Sequence, residues 1–333
     1  MMKNIKVFDK YGEPKILGDY INEGGEGKII SLKKPYDHIV IKIYKEEKLN
    51  KLGNLLKNKV SSQISIKELF KNTDIAWPQL EVYNENGDWI GYAMKRAIGI
   101  PLSKLAHPNL QKKYFNDYTR EDVMQVLLSI INNVKILHRN DICLGDINLD
   151  NYLIEKDLKK VYLIDTDSYQ VKHNGNIFPC PVGKPEMTPL EHQDKAFTQI
   201  TRNIESDLFS LGILFFQTLM RGRHPYDQIG GTNPVENLRS GNFPYGTGSI
   251  APGQNGSIPP GPWYVIWSHL SHKVKGLFIR CFKDGVKDKS KRPTLIEWDE
   301  AFRFYLNDMK KGYFDSEIQP KEPKSKEYNK GSV

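Results

Sequence analysis

Apolar and polar residues alternate over His38–Lys45, HIVIKIYK, a period-two pattern that predicts a half-buried strand. Upstream, Ile5–Leu32 reads as two strands joined by a glycine-rich turn, with ILGDYINEGGEGKIISL at its centre. Downstream, KLNKLGNLLKNKV has helical character, and two further strands are predicted around a turn at Asn84–Asp88, the second running over Ile90–Met94. The pattern then breaks at Ala97–Pro101, around Gly99. Beyond the break the spacing becomes helical: Thr119-Arg120-Glu121-Asp122 offers a capping Thr and first-turn acids, and VMQVLLSIINNVKILH carries apolar residues three and four apart. Two short apolar runs, YLI and VYLID, return to strand character within Leu144–Gln170. Ser240–Pro262, rich in Gly, Pro, Ser and Asn, reads as a long irregular loop whose PPGPWY end packs on the surface or meets a partner. From Glu317 onward the composition is that of a disordered tail.

Composition narrows the possibilities. A chain of 333 residues with 39% hydrophobic and 11% aromatic side chains can bury a core large enough for one two-part unit or two modest domains. The net charge of +8 comes from lysines spread along the chain with no long basic block, so nucleic acid is not an expected partner. Cys143, Cys180 and Cys281 lack CxxC spacing, which points to a reducing compartment. Cys143, beside the candidate loop, reads as a small buried hydrophobe more readily than as a reactive thiol. No run long enough to span a membrane and no signal-peptide apolar region is evident, so a soluble, cytoplasmic protein is expected.

The candidate chemistry lies in LGDINLDNYLIEKDLKKVYLIDTDSYQ, where Asp146 is followed five residues later by Asn151, then a strand, a turn and a second strand ending in Asp165. Mg²⁺ prefers hard oxygen ligands, and a carboxylate with an amide oxygen supplies them while leaving positions for phosphates and water. Turn chemistry alone accounts for any one of these residues; the set in this order resembles the eukaryotic-like protein kinase family. His138-Arg139-Asn140-Asp141 mimics the family's catalytic triplet, but Asp146 rather than an Asn stands five residues after Asp141, and ILHRND reads as a helix end.

The resemblance runs from about Ile16 to Phe304 and implies roles residue by residue. Asp146 takes the place of the acid that accepts the substrate hydroxyl's proton. Asn151 and Asp165 take those of the metal ligands, Asp165 being preferred to Asp167 because it directly ends VYLI. Lys42 stands where a strand lysine pairs with the α- and β-phosphates of ATP. Gly24, Gly25 and Gly27 match the phosphate-binding loop, with Asn22 at its usual first glycine, and Met94, Lys95, Arg96 and Ala97 match the segment that meets adenine. Asp207 resembles the acid that supports the catalytic loop, and Glu191 with Arg292 a structural ion pair. The helix acid that orients the lysine is undetermined among Glu46, Glu47, Glu68 and a source elsewhere. Two departures stand out. Gly145 replaces the Arg that binds a phosphorylated activation loop, and Asn148 replaces a Lys that touches the γ-phosphate; the latter removes a contact of about 1.5 to 3 kcal/mol.

The resemblance therefore implies an α+β, bilobal kinase-like fold, with a small antiparallel-sheet lobe over residues 1–96, a mainly helical lobe over 97–312 and a disordered tail over 313–333. It implies a Ser/Thr protein kinase using ATP with Mg²⁺ or Mn²⁺, capable of autophosphorylation. GGEG, GDINLDN, DTDS and GKPEMTP together look like bacterial kinases of tellurite-resistance-like operons. A protein substrate, an operon-encoded phosphatase and a von Willebrand-type protein are the partners this suggests. A pseudokinase acting through partner binding is the first alternative, and a small-molecule kinase of related fold the second.

Overall fold

The computed structural model describes residues 6–246 and 257–324, and the chain divides into two units, Met1–Ile98 with Tyr162–Phe178 and Gly99–Val161 with Pro179–Val333. The first unit is built on a seven-stranded antiparallel sheet of β1 (Val7–Phe8), β2 (Pro14–Lys15), β3 (Leu17–Glu23), β4 (Gly27–Leu32), β5 (Ile39–Tyr44), β6 (Pro78–Tyr83) and β7 (Trp89–Lys95). Their order across the sheet is β2-β1-β6-β7-β5-β4-β3. Helix α1 (Glu46–Ser65) follows β5. The alternation in IVIKIY sorts its side chains onto opposite faces. Ile41 and Ile43 join Val7, Ile30, Val82 and Ala93 in one cluster, whereas Val40 and Tyr44 pack with Leu56, Val60, Tyr92 and Met94 in the other. Leu56 and Val60 are four apart on α1 and so share one helix face. Lys42 falls between Val40 and Tyr44 on the face that α1 covers, in register with Tyr92 on β7. A basic side chain is thereby placed in an apolar layer, where it must find counter-charges.

The second unit contains β8 (Ile100–Pro101), α2 (Leu102–Ala106), α3 (Pro108–Tyr114), α4 (Arg120–Arg139), β9 (Tyr152–Glu155), the start of β10 (Lys160–Leu163), α5 (Ile204–Leu219), α6 (Pro234–Ser240), α7 (Trp263–Ser268), α8 (His272–Ile279) and α9 (Leu295–Lys310). The capping box expected at the start of α4 forms: Thr119 accepts from the Asp122 amide while the Asp122 carboxylate accepts from that of Thr119. Helix α5 is buried almost all round, in keeping with its apolar run from Leu211 to Phe216. Its Phe215 meets Trp298 and Phe302 of α9 at ring distances of 5.5 and 5.4 Å, and its Phe216 meets Phe278 of α8 at 5.2 Å. Burying each such side chain contributes roughly 1.5–3 kcal/mol, so α5 is the centre of this core. The chain as a whole is α+β, sheet-rich toward its N-terminal region and helical in its C-terminal part.

Two expectations change. Ala97, Ile98 and Tyr162–Phe178, which follow the 96/97 boundary in sequence, cluster with the sheet unit rather than the helical one. The start of the expected tail is pinned: Arg120 receives the Ser316 carbonyl at its amide and the Ile318 carbonyl at its guanidinium, at 2.7 and 3.3 Å, and Pro320 is buried. Polar composition failed there because the partners are backbone carbonyls, which every residue carries. Of the expected loop at Ser240–Pro262, residues 247–256 lie outside the described residues, and Ser240 closes α6. Among the described residues no helix is long and apolar enough to cross a membrane.

Candidate active site

In the sheet unit the site is organised around Lys42. Its side chain is 5% exposed, and its Nζ lies 2.8 Å from both carboxylate oxygens of Asp167, 3.4 Å from Glu26 and 3.5 Å from Asp165. Burial alone would favour the neutral amine, but these three carboxylates outweigh it and hold the ammonium well above the ordinary lysine range. Asp167 is equally enclosed. Beyond Lys42 it accepts hydrogen bonds from the hydroxyls of Tyr44 at 2.6 Å and Tyr92 at 2.8 Å. Burial opposes its ionisation, yet Lys42 and the two hydroxyls bring its pKa below the usual carboxylate value. Asp165, by contrast, is 54% exposed at its side chain and sits in the left-handed region with φ +55°. Its pKa is raised, with desolvation the largest cause and repulsion from Asp167 and Glu26 adding to it against Lys42.

Lys48 also pairs with Glu26, so three carboxylates face two ammoniums and the cluster keeps an excess of one negative charge, which favours a divalent cation. Among the described residues no group of three or more His, Cys, Asp or Glu side chains forms a metal cage. An Mg²⁺ site beside phosphates needs none, since it takes one or two carboxylates and completes its shell with phosphate and water oxygens. Asp165 has the chemistry and the exposure for that role; Asp167 has its oxygens engaged.

The turn Asp165–Ser168 is held by its own unit. Thr166 Oγ1 donates to the Ala76 carbonyl at 2.7 Å, Gln63 Nε2 of α1 donates to the Thr166 carbonyl at 2.7 Å, and Lys59 Nζ donates to that of Ser168 at 2.8 Å. Helix α1 thus grips the turn through an amide and an amine. Glu46, Glu47 and Glu68, the acids considered as partners of Lys42, are all exposed. The partner is Asp167, which the sequence offers only as the alternative to Asp165 as metal ligand.

The glycine loop closes with a hydrogen bond from the Gly24 amide to the Gly27 carbonyl at 2.9 Å. A Cβ at Gly27 would stand 2.3 Å from the Ile43 carbonyl, so strand packing demands this glycine; at Gly24 or Gly25 it would meet nothing within 4 Å. Asn22 is exposed on β3, its side chain accepting from the Glu23 amide at 2.9 Å. Met94 is buried in the cluster beneath the sheet, Lys95 is exposed, Arg96 donates its amide to the His38 carbonyl at 2.8 Å, and Ala97 packs at the cluster edge.

In the helical unit the centre is Asp146. Its Oδ2 accepts from Asn148 Nδ2 at 3.1 Å and Asn151 Nδ2 at 3.2 Å, and its carbonyl accepts from Asn151 at 2.9 Å. With both amide nitrogens turned to Asp146, the Asn151 oxygen is left to serve as a ligand, while that of Asn148 caps the Asp150 amide at 3.0 Å. Asp207, 1% exposed at its side chain, fixes the loop from beneath: Oδ2 accepts from the Leu144 amide at 2.7 Å and lies 3.0 Å from His138 Nε2, and Oδ1 accepts from the Gly145 amide at 3.0 Å. His138, noticed only as part of a decoy triplet, therefore closes α4 onto the loop's supporting acid. Gly145 has φ +74°, and a Cβ there would meet Arg202 Nε at 2.6 Å and Cys180 Cβ at 2.7 Å. The Arg202 side chain fills the space beside this position and donates to the Val182 carbonyl at 2.8 Å. Cys143, Cys180 and Cys281 are all buried thiols. Arg292, which opens RPT, meets Glu191, which ends PLE, through two 2.7 Å hydrogen bonds, one to each carboxylate oxygen.

No protein-family profile matches the chain. Two curated proteins match over nearly its whole length: Protein kinase YegI of Escherichia coli strain K12, 28% identical over 316 residues, and Protein kinase YegI of Escherichia coli O157:H7, 27% identical over 312 residues. These alignments cover 93% and 92% of this chain but 48% and 47% of the relatives, so the chain spans about half their length. The Mitogen-activated protein kinase kinase kinase mom-4 of Caenorhabditis briggsae is 28% identical over 112 residues, 34% of this chain and 19% of its own. Relatives so named, with the α+β arrangement, support a bacterial protein kinase family. Within it, the similarity that covers most of the chain is to the two proteins named YegI.

Proposed function

We propose that the chain is an ATP-dependent protein kinase that transfers the γ-phosphate to Ser or Thr hydroxyls, its own included, within a bilobal kinase-like fold. The observation that carries this reading is Lys42, kept charged in an apolar layer beside the half-exposed Asp165. A buried ammonium costs several kcal/mol unless compensated, and binding the ATP phosphates is the use to which the kinase-like setting puts it. Lys42 and the amides of Gly24–Gly27 would position the phosphates, the backbone of Met94–Ala97 would meet adenine, and Asp165 and Asn151 would hold Mg²⁺ or Mn²⁺. The metal, when bound, offsets the charge of the transferring phosphoryl group. Asp146, steadied by Asn148 and Asn151, would orient the attacking hydroxyl and accept its proton. Positioning and charge stabilisation of this kind carry most of the rate in phosphoryl transfer.

A cytoplasmic setting, a protein substrate, and an operon-encoded phosphatase or von Willebrand-type protein as partners complete the proposal. One observation favours a regulatory, nucleotide-binding module instead: Asn148 offers Asp146 an amide where a kinase commonly offers the γ-phosphate a lysine. The test is transfer of labelled γ-phosphate from Mg·ATP to the chain itself and to a generic Ser/Thr substrate. The kinase reading expects transfer, lost in Asp165→Ala; ATP binding without transfer in the wild type favours the regulatory module.

A further inference from the structure

We infer that Asp167 is the residue that positions Lys42 for the ATP phosphates, doing from the turn after Asp165 what a helix-borne acid would otherwise do; the inference rests on the kinase-like reading of the site. Lys42 has one close carboxylate and it is this one, met at 2.8 Å on both oxygens, while Glu26 and Asp165 stand at 3.4 and 3.5 Å. Asp167 is itself fixed from two strands, by Tyr44 two residues beyond Lys42 on β5 and by Tyr92 in register with Lys42 on β7. Lysine, carboxylate and two phenols form a buried set in which both oxygens of Asp167 are engaged, the condition under which such a network is rigid rather than costly.

The arrangement has a consequence for control of the site. Where the lysine's partner sits on a helix, moving the helix makes or breaks the pair. Here α1 contributes no carboxylate. It contributes Gln63 and Lys59, and these take backbone carbonyls of the turn that carries both Asp165 and Asp167. One residue, Thr166, separates the metal-type acid from the lysine-orienting acid, so one turn sets both, and α1 holds that turn without supplying a carboxylate to Lys42. Glu46, Glu47 and Glu68 are exposed and dispensable for this purpose.

The experiment measures binding of ATP and of adenosine, with Mg²⁺ present, to the wild type, Asp167→Asn, Tyr92→Phe, and the triple variant Glu46→Gln/Glu47→Gln/Glu68→Gln. A lysine aimed at phosphates matters to ATP and not to adenosine. Asp167→Asn is expected to weaken ATP roughly tenfold or more, and Tyr92→Phe by a smaller factor, with adenosine affinity within about twofold of wild type in both. The triple variant is expected to bind both ligands as the wild type does. In a Lys42→Met background Asp167→Asn should have no further effect on ATP. Equal weakening of ATP and adenosine would reduce Asp167 to a structural residue and overturn the inference. So would unchanged ATP affinity in Asp167→Asn, or loss of it in the triple variant. If Asp167→Asn fails to fold, Tyr92→Phe decides on the same ATP-to-adenosine ratio. Failure of the kinase reading looks different: the wild type binds ATP but transfers no phosphate, and the ratio is still read. A wild type that binds no ATP overturns both.

Discussion

Asp207→Asn tests the support of the catalytic loop with little change in shape. Asp207 accepts three hydrogen bonds, from Leu144 and His138 at Oδ2 and from Gly145 at Oδ1. An Asn keeps one acceptor oxygen. With that oxygen toward Leu144 and His138, its amino group faces the Gly145 N–H, donor against donor. One charge-assisted bond is lost and one buried amide is left unpaired, at about 1.5–3 and 1–3 kcal/mol, overlapping quantities that together give about 2–4 kcal/mol. The opposite rotamer orphans two donors and costs more. Urea unfolding should show the midpoint lowered with the slope unchanged. Phosphate-transfer kinetics should show a fall in kcat with KM for ATP nearly unchanged, because Asp207 holds the loop bearing Asp146 and touches none of the proposed nucleotide contacts. A variant within about 0.5 kcal/mol of the wild type and with normal kcat would refute this account of the loop.

Other substitutions separate structural from chemical roles. Asp165→Ala should abolish Mg²⁺-dependent phosphate transfer while barely moving the melting temperature. Asp167→Ala should instead lower stability by roughly 3–5 kcal/mol, since it leaves the Tyr44 and Tyr92 hydroxyls buried without their acceptor and takes from Lys42 its nearest counter-charge; the reverse pattern in melts and assays would exchange the two acids. Glu191→Gln should cost about 2–3 kcal/mol, less than a fully buried pair because Glu191 is 35% exposed at its side chain. Its pKa is depressed, Arg292 outweighing the effect of burial, so this stabilisation is present above the ordinary value of 4.5 and is lost as the pH falls through the lower folded value. Wild-type stability should therefore decline more steeply with acid than that of Glu191→Gln, and parallel declines in urea titrations would contradict the pairing. Gly145→Ala should destabilise by at least about 1–2 kcal/mol from its positive φ alone, with the Arg202 contact adding to it, whereas Gly24→Ala, meeting no neighbour, should melt within a degree or so of the wild type.

Much of this architecture is legible in the chain because it rests on short-range patterns. Alternation in HIVIKIYK places Lys42 among buried residues and the Thr119–Asp122 box starts α4, whereas Glu191 and Arg292, 101 residues apart, are paired in the sequence only through the family resemblance. What could not be read depends on partners distant in sequence. Asp167 looks like turn chemistry in DTDS until Tyr44 and Tyr92, 123 and 75 residues away, are seen to point their hydroxyls at it. Aromatic residues on strands read as core, and these two are core and hydrogen-bond donors at once. The only available clue was negative: KLNKLGNLLKNKV holds no acid, so the acid had to come from elsewhere. Arg202 was likewise invisible, because the signal for it is the missing side chain of Gly145. Ser316 and Ile318 engage Arg120 through carbonyls that no composition reports.

The central claim, that Asp146 serves phosphoryl transfer, is tested most directly by Asp146→Asn in a labelled-phosphate assay run beside an ATP-binding titration. The account predicts that the wild type transfers the γ-phosphate and that the variant binds ATP as tightly while transfer falls by roughly two orders of magnitude or more, the share expected of a positioned general base. Wild-type transfer unchanged by the substitution would contradict it.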